Sequence, residues 1–388
     1  MDRVILHCDM NNYFATVEEK FNPSLRRVPF AVCGDPEMRH SIVLAKNALA
    51  KQAGVISGIS FRQAKEICPE LEYVKAEYPK YLNETKRARE IYRKYTDAVI
   101  PYGLDEAWLD LTQTDVSMND GRQIADLIRI EIMYSQGLSA SVGVSDNLIF
   151  AKLGSDFRKP NATTVITKDN YRSIVWPLPV SDLLFVGDKR KKILGSIGIK
   201  TIGDLARADA HVLRHHLGKV GEDLHRFANG DDSGFSPESA SVGSIGNTIT
   251  PPADLRSAED ASAVLYLVAC SVSARLKKHR LKAYCIRISV KDNRCNTFTR
   301  QCTLPCATDD ADTLFNRAYA LFARNYSWAD PLRSVGICAD RLVSAEFEQL
   351  SLPGDGMCAV PDIDARVKKL TERIGKLQVE KTQIKQDW

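Results

Sequence analysis

The sequence predicts a multidomain α+β protein, on three observations. The chain has 388 residues, enough for two to four domains of ordinary size. Short apolar, strand-like runs alternate with helical stretches over the first 167 residues. The texture then changes twice. A compact helical region spans 180–230, and a stretch rich in Asp, Ser, Pro and Gly at 231–241 reads as a linker. The segment after it, 242–342, reads strand, helix, two strands, helix, strand.

Residues 3–8 form the first strand, with Val4, Leu6 and Cys8 on one face and Ile5 and His7 on the other. It ends at Asp9. A helical stretch at 11–20 carries Tyr13, Phe14, Val17 and Glu18, and Asn22-Pro23 breaks it. Residues 28–33 are a second strand, turned by Gly34-Asp35-Pro36. Residues 44–52 read as a helix stopped at Gly54, and 61–68 as a short helix stopped by Pro69. A long helical pattern runs over 79–99, and the Pro101-Tyr102-Gly103 turn leads into a strand at 104–111. Then come a helix (121–135), an alternating strand (138–145), a helix (147–157) closed by Lys159-Pro160-Asn161, and a strand (164–166). In the last region the spacing predicts a helix over 260–279, strands over 282–291 and 295–304, a helix over 310–326 and a strand over 333–340. Beyond a polar segment from 345, Ile363, Val367, Leu370, Ile374 and Leu377 recur at helical spacing.

Hydrophobic residues make up 44% and charged residues 26%, which excludes a disordered, a collagen-like and a membrane-embedded chain. The longest apolar runs, such as 263–270, are far shorter than the roughly 20 residues of a span. The first six residues lead straight into a strand without a secretory apolar region, so a cytoplasmic protein with no membrane contact is expected. Ten cysteines include no CxxC pair, and Cys302 and Cys306 have no histidine near them in sequence, so free thiols are expected. The net charge is only +4, but residues 275–300 hold nine Lys/Arg against the single acid Asp292. A basic window inside a near-neutral chain points to a polyanion or to a solvated charged face.

The strand ends carry the chemistry. Asp9 closes the first strand, and Asp105-Glu106 opens another just after a turn. Neighbouring strand residues point to opposite faces, so both can serve one site only near such a turn. Three carboxylates from two strand ends can hold a pair of Mg²⁺ ions about 3.5–4 Å apart for phosphoryl or nucleotidyl transfer. Acidic residues at strand ends are common, and on spacing alone this remains one reading among several.

The surrounding sequence narrows it. Cys8-Asp9-Met10-Asn11-Asn12-Tyr13-Phe14-Ala15-Thr16-Val17-Glu18 resembles the opening motif of the Y-family translesion DNA polymerases. Tyr102-Gly103-Leu104-Asp105-Glu106-Ala107-Trp108-Leu109-Asp110 resembles that family's Ser-Ile-Asp-Glu-Ala motif. Ser141-Val142-Gly143-Val144-Ser145, followed by Phe150-Ala151-Lys152 and Asp156-Phe157-Arg158-Lys159-Pro160, resembles its third block. Order and spacing match over about residues 1–342, nearest to the bacterial polymerase IV/V-like branch.

The resemblance implies a right-hand polymerase. The palm is expected at 1–18 and 77–167, the fingers at 19–76, the thumb at 168–231, a linker at 232–241, the little finger at 242–342 and a tail at 343–388. It implies that Asp9, Asp105 and Glu106 are catalytic and bind two Mg²⁺, with the Met10 carbonyl as a further ligand. Phe14 matches the steric gate against a ribose 2′-OH, with Tyr13 beside it. Lys51 and Lys159 match contacts to the dNTP triphosphate. Two departures stand out. Ala48 lies where many members carry a tyrosine, leaving Lys51 and nearby Lys46 as the cations. The first thumb hairpin keeps only the second glycine, in Phe185-Val186-Gly187, followed by Asp188 and Lys189.

The second hairpin, Leu217-Gly218-Lys219-Val220-Gly221, keeps both glycines, and both hairpins are expected to grip the primer-template DNA backbone. In the little finger, Lys277, Lys278, Arg280 and Lys282 are expected to meet DNA, as is Arg333, although Ser334 replaces the next arginine of the family pattern. Gln349-Leu350-Ser351-Leu352-Pro353 resembles the peptide that binds a bacterial sliding clamp, with Gln349, Leu350 and Leu352 as anchors and Pro353 in place of the usual aromatic. The expected protein is a monomeric, Mg²⁺-dependent, template-directed, low-fidelity DNA polymerase for lesion bypass. Two rivals are weighed against it. A non-catalytic accessory factor would be expected to lose the three carboxylates. Another palm-type nucleotidyl transferase, such as a cyclase, would not need the hairpins, the basic C-terminal domain or the clamp peptide.

Overall fold

A computed structural model describes residues 3–35, 41–237 and 242–346. The chain divides into two compact units that meet in sequence near residue 240. The first contains β1 (Ile5–Met10), α1 (Tyr13–Phe21), β2 (Phe30–Cys33), β3 (Val43–Lys46), α2 (Ala48–Gln52), α3 (Phe61–Ile67), β4 (Glu72–Lys75), α4 (Tyr78–Tyr92), β5 (Val99–Tyr102) and β6 (Glu106–Asp110). It continues with α5 (Met118–Gln136), β7 (Ala140–Ser145), α6 (Leu148–Phe157), β8 (Thr163–Ile166), α7 (Tyr171–Ile174), α8 (Asp188–Ser196), α9 (Ile202–Arg207), α10 (Ala210–Leu217) and α11 (Lys219–Ala228). The second contains β9 (Ser244–Ile249), α12 (Ala258–Lys278), β10 (Leu281–Asp292), β11 (Thr297–Thr308), α13 (Ala311–Asn325) and β12 (Leu332–Ser344).

β1 is central in a five-stranded sheet of order β5-β6-β1-β7-β8, and all six of its residues are buried. The alternation read from the sequence sorts them onto two packed faces. Val4, Leu6, Cys8 and Met10 join the core that includes Ala125, Ile128 and Ile132 of α5. A Cβ on Gly121 would stand 2.7 Å from Val4 Cγ1, so the glycine lets α5 settle onto the sheet. α5 starts where Ser117 and Asp120 cap each other reciprocally, and it ends at Gly137 with φ +67°. The opposite face carries Ile5, His7 and Trp108 beneath α6.

A second sheet, β3-β2-β4, corrects the helix expected over 44–52. Val43–Lys46 is a strand because it pairs with β2, Ala31 opposite Lys46 and Val32 opposite Ala45. Asn47 then starts α2 midway, its side chain accepting from the Ala50 amide and donating to the Val28 carbonyl at 2.8 Å. β4 and β5 also go beyond the expected elements. β4 runs parallel to β2 and β5 edges the larger sheet, and edge strands tolerate Pro101. The helix expected to reach residue 99 stops at Tyr92.

The second unit is an antiparallel sheet of order β11-β10-β12-β9. α12 and α13 bury one face over Ile286, Ile288, Val290, Val335, Ile337 and Ala339. The other face holds a groove of about 460 Å³ lined by Thr248, Arg287, Ser289, Thr299 and Cys338, with Gly246 and Gly336 also in its lining. No helix among the described residues is long and apolar enough to cross a membrane. The cysteines among the described residues form no disulfide.

Candidate active site

Register brings the carboxylates together. β1 and β6 are antiparallel, and Asp9 lies directly opposite Glu106. Directly opposed residues share a face, with Cβ atoms about 5 Å apart. Asp105 precedes β6, after the Gly103 turn at φ +78°, and its carbonyl accepts from the Met10 amide at 3.0 Å. Asp9 is 4% exposed, and Met10 has its side chain in the core.

α6 crosses this face because Gly143 lets it. A Cβ there would lie 1.9 Å from the Ala151 carbonyl oxygen, so only glycine allows helix and strand so close. The helix then presents Lys152, Ser155 and Asp156, and Lys159 follows one turn later. Lys152 Nζ lies 2.7 Å from Glu106 Oε2, 3.2 Å from Asp9 Oδ2 and 3.2 Å from Asp156 Oδ2. Lys159 Nζ lies 2.7 Å from both Asp9 Oδ2 and Asp156 Oδ1. The loop beyond is tied back to β1: the Asn161 amide donates to Asn11 Oδ1 at 2.8 Å, and Asn11 Nδ2 donates to Ser141 Oγ at 3.0 Å. His7 lies fully buried beneath Glu106. Its Nε2 is 3.3 Å from Glu106 Oε2, its Nδ1 is 2.8 Å from Ser155 Oγ, and its ring meets Trp108 edge-on.

These contacts split the carboxylates. Burial opposes ionisation of Glu106, but the His7 hydrogen bond and the Lys152 ammonium outweigh it and hold the group at about 2. Burial, then the charges of Asp9 and Glu106, push Asp105 up to about 6. Burial also disfavours the charge on Lys152 and Lys159, yet the surrounding carboxylates win and raise both. Burial keeps His7 below its ordinary value. Among the described residues no three acidic, imidazole or thiol groups form a closed metal cage. The donor set nevertheless suits a hard divalent cation. It consists of carboxylate oxygens, and Asp105 carries the like-charge repulsion that such an ion would relieve.

Phe14 stands at the rim of the sheet, half-buried. Asn12, at φ 46°, makes the tight turn from β1 into α1. The Phe14 ring stacks on Tyr81 at 4.3 Å and 12°, with Tyr78 edge-on at 6.0 Å. The Tyr13 side chain packs into the core beside Phe14. Its ring is 4% exposed, and its hydroxyl donates to the Tyr81 carbonyl at 2.6 Å beside Thr85 Oγ1. Lys51 is exposed on α2. Lys46 donates to Ser57 Oγ at 3.1 Å, and burial and the Lys51 charge hold it below its ordinary value.

The helical hairpins keep the expected backbone. Phe185 has φ +70°, a left-handed conformation natural to glycine, and the Arg190 guanidinium donates to its carbonyl at 2.7 Å. The departure from the family motif at Phe185 is thus in the side chain, whose ring packs on Phe227 and Phe235. Gly218 has φ +68° and ψ −152°, and a Cβ on Gly221 would stand 2.3 Å from the Leu213 carbonyl oxygen, so that hairpin requires both glycines. Gly187 and Gly218 start α8 and α11 with no side-chain cap, leaving helix N-terminal amides for another acceptor, and Lys189 is exposed beside the first.

In the second unit, part of the basic window is engaged within the fold. Arg275 donates to the Gly246 carbonyl, Arg287 pairs with Asp340, Arg294 with Asp330 and Arg280 with Glu346. Lys277, Lys278, Arg280 and Lys282 sit together where α12 turns into β10. Arg333 lies half-buried at the bulged start of β12. Gln349, Leu350, Leu352 and the amphipathic pattern beyond them lie outside the described residues.

Sequence reasoning assigns no role to Lys152, His7, Ser155 or Tyr81. The signal for Lys152 was present: positions 152, 156 and 159 fall on one helix face and alternate in charge. His7 and Tyr81 carried none, since buried aromatic residues in a strand or helix read as core.

A carboxylate cluster rimmed by lysines, in a unit whose helical hairpins offer free amides, defines an enzyme surface suited to phosphate esters. Comparison with known proteins specifies it. Residues 8–156 match the impB/mucB/samB family, and residues 242–352 match that family's C-terminal domain. A DNA polymerase IV of Acetivibrio thermocellus is 42% identical over 395 residues, covering 100% of this chain and 98% of that protein. A DNA polymerase IV of Bacillus velezensis is 33% identical, covering 90% of this chain and 85% of that protein. A solved Y-family DNA polymerase chimera shares the fold at a TM-score of 0.78 and 22% identity, covering 88% of this chain and 99% of its own. The chain belongs to the Y family of DNA polymerases and is a DNA-directed DNA polymerase of the translesion class.

Proposed function

We propose that Asp9, Asp105 and Glu106, with the Met10 carbonyl, hold two Mg²⁺ ions at which a primer 3′-OH attacks the α-phosphate of a dNTP. When bound, the ions supply charge to activate the attacking oxygen and stabilise the leaving pyrophosphate. The observation that carries this reading is the register that sets Asp9 opposite Glu106, with Asp105 raised beside them. The chain's own residues position the reactants. Lys159 can exchange its carboxylates for a triphosphate, and Lys51 and Lys46 add charge from the smaller sheet. Phe14, backed by Tyr81, occupies the place of a ribose 2′-OH. Residues 1–18 and 77–167 act as palm, 19–76 as fingers, 168–231 as thumb and 242–342 as little finger. Primer extension that chelation abolishes and Mg²⁺ restores tests the metal assignment, and extension unaffected by chelation overturns it.

DNA is held by its phosphates. The N-terminal turns of α8 and α11, which follow Gly187 and Gly218 without a side-chain cap, suit backbone phosphates, with Gly221 shaping the second hairpin and Lys189 beside the first. Lys277, Lys278, Arg280 and Lys282 form a second cluster for the backbone, with Arg333 on the same unit. Neutralising those four together is expected to weaken primer-template binding and to lower the slope of log K against log salt by about 0.9 for each phosphate no longer neutralised. Titrations at several salt concentrations check this, and an unchanged slope returns the cluster to a solvated face. Base preference is expected to stay the same, because phosphate binding positions rather than specifies.

The peptide Gln349-Leu350-Ser351-Leu352-Pro353 would tether the enzyme to a sliding clamp, with Leu350 and Leu352 entering an apolar cleft. Deleting residues 349–353 is expected to leave synthesis on a short primer-template unchanged. It should shorten products on a circular template carrying a loaded clamp, since tethering raises effective concentration. Equal product lengths would make the peptide a linker.

A further inference from the structure

We propose that Lys152 is a resident counter-cation of the carboxylate cluster, which a divalent ion displaces on binding. The inference rests on the metal-site reading above. An ammonium has three N–H donors and no acceptor, and Lys152 Nζ has three carboxylate oxygens within 3.2 Å, from Asp9, Glu106 and Asp156. Its side chain is 13% exposed, against 34% for Lys159. α6 packs closely on Gly143, so the lysine is delivered from a helix that lies directly on the carboxylate face.

One oxygen of Asp9 and one of Glu106 already face ammonium groups. Asp9 Oδ2 receives Lys152 at 3.2 Å and Lys159 at 2.7 Å. Glu106 Oε2 lies 2.7 Å from Lys152 Nζ and 3.3 Å from His7 Nε2. A cation that takes either of these oxygens meets an ammonium already there, and one that takes the second oxygen of the same carboxylate still arrives beside that like charge, so its binding favours displacement of the lysine. Asp156 supplies the place to go. It lies one helical turn from Lys152, outside the metal-binding set, with a side chain 50% exposed. Lys152 can swing onto Asp156 without leaving the site or losing an ionic partner. The lysine thus gathers Asp9 and Glu106 in the metal-free chain, weakens metal binding by competition, and is released onto Asp156 when metal arrives.

Two variants move metal affinity in opposite directions under this scheme. Lys152→Met keeps most of the unbranched side chain and removes the competitor. Its apparent Kd for Mn²⁺, read from the free-ion electron paramagnetic resonance signal of the full-length protein, is expected to fall at least about threefold. Its Tm is expected to drop without metal and to recover more than wild type when Mn²⁺ is added. Asp156→Asn removes the alternative partner and leaves the ammonium on the metal ligands, so its Kd is expected to rise at least about threefold. Asp156→Asn alters a half-exposed side chain and keeps the test decisive if Lys152→Met does not fold. Asp105→Asn is the control. If wild type binds Mn²⁺ no better than Asp105→Asn, the metal-site reading itself falls. If binding depends on Asp105, but Lys152→Met binds equally or more weakly, or Asp156→Asn does not weaken binding, this inference alone is overturned.

Discussion

Replacing Asp105 with asparagine is expected to abolish primer extension and to leave the metal-free protein no less stable than wild type. The two halves of this result have separate causes. Asparagine preserves shape, and the Asp105 carbonyl still accepts the Met10 amide, so the turn into β6 survives. The lost charge removes a ligand, which should lower the rate by several orders of magnitude. Stability moves the other way. Asp105 has a folded pKa raised from 3.8 to about 6. The folded chain therefore binds this proton more tightly than the unfolded chain does. The group favours folding below pH 3.8, and that contribution is lost as pH rises through about 6. At pH 7.5 the ionised carboxyl costs stability, since each tenfold weakening of its acidity on folding is worth about 1.4 kcal/mol. A neutral amide avoids that cost, so Tm at pH 7.5 is expected to hold or to rise, by the equivalent of a stability gain on the order of 1–3 kcal/mol. Single-nucleotide kinetics and a melt in chelator are sufficient. Extension within about tenfold of wild type would remove Asp105 from the site, and a sharp loss of Tm would mean that the residue is structural.

Phe14→Ala is expected to admit ribonucleotides. The side chain is half-buried, with one face on Tyr81 at 4.3 Å, so the ring cannot turn aside from an incoming sugar without breaking that stack. A clash with a packed ring costs about 1–3 kcal/mol, and each 1.4 kcal/mol is about a factor of ten. The ratio of kcat/KM for dNTP over rNTP is expected to fall by about tenfold to a hundredfold, through rNTP incorporation rather than loss of dNTP incorporation. An unchanged ratio would make Phe14 plain core. Tyr13 would not then inherit the role, because its ring is buried and its hydroxyl is committed to the Tyr81 carbonyl.

Local chemistry made much of this legible in the sequence. The helices expected at 121–135 and 147–157 are α5, which Ser117 and Asp120 cap at its start and Gly137 ends, and α6, which Asn147 caps by accepting from the Phe150 amide. These are interactions among residues three or four apart, and they need no tertiary partner. The strand at 43–46 was illegible for the opposite reason. Val43-Leu44-Ala45-Lys46 fits either state, and its pairing with β2, about ten residues or more away, made the choice. The basic window was legible as charge but not as surface, because Asp330, Asp340 and Glu346, which neutralise part of it, lie 36 or more residues away from their arginines.

The division runs through the active site itself. The sequence alone singled out three acids and placed each at a strand end: Asp9 closes an apolar run, and Asp105-Glu106 follows a glycine turn. It also determined the family, because three motifs stand in order along one chain. Only the tertiary structure decided what surrounds them. The antiparallel register of β1 and β6 set Asp9 opposite Glu106, the missing side chain of Gly143 let α6 descend onto the sheet, and that descent delivered Lys152 and Ser155 to carboxylates and a histidine more than 40 residues distant. Contacts of that separation depend on strand register and helix-sheet packing, which no local pattern of residues encodes.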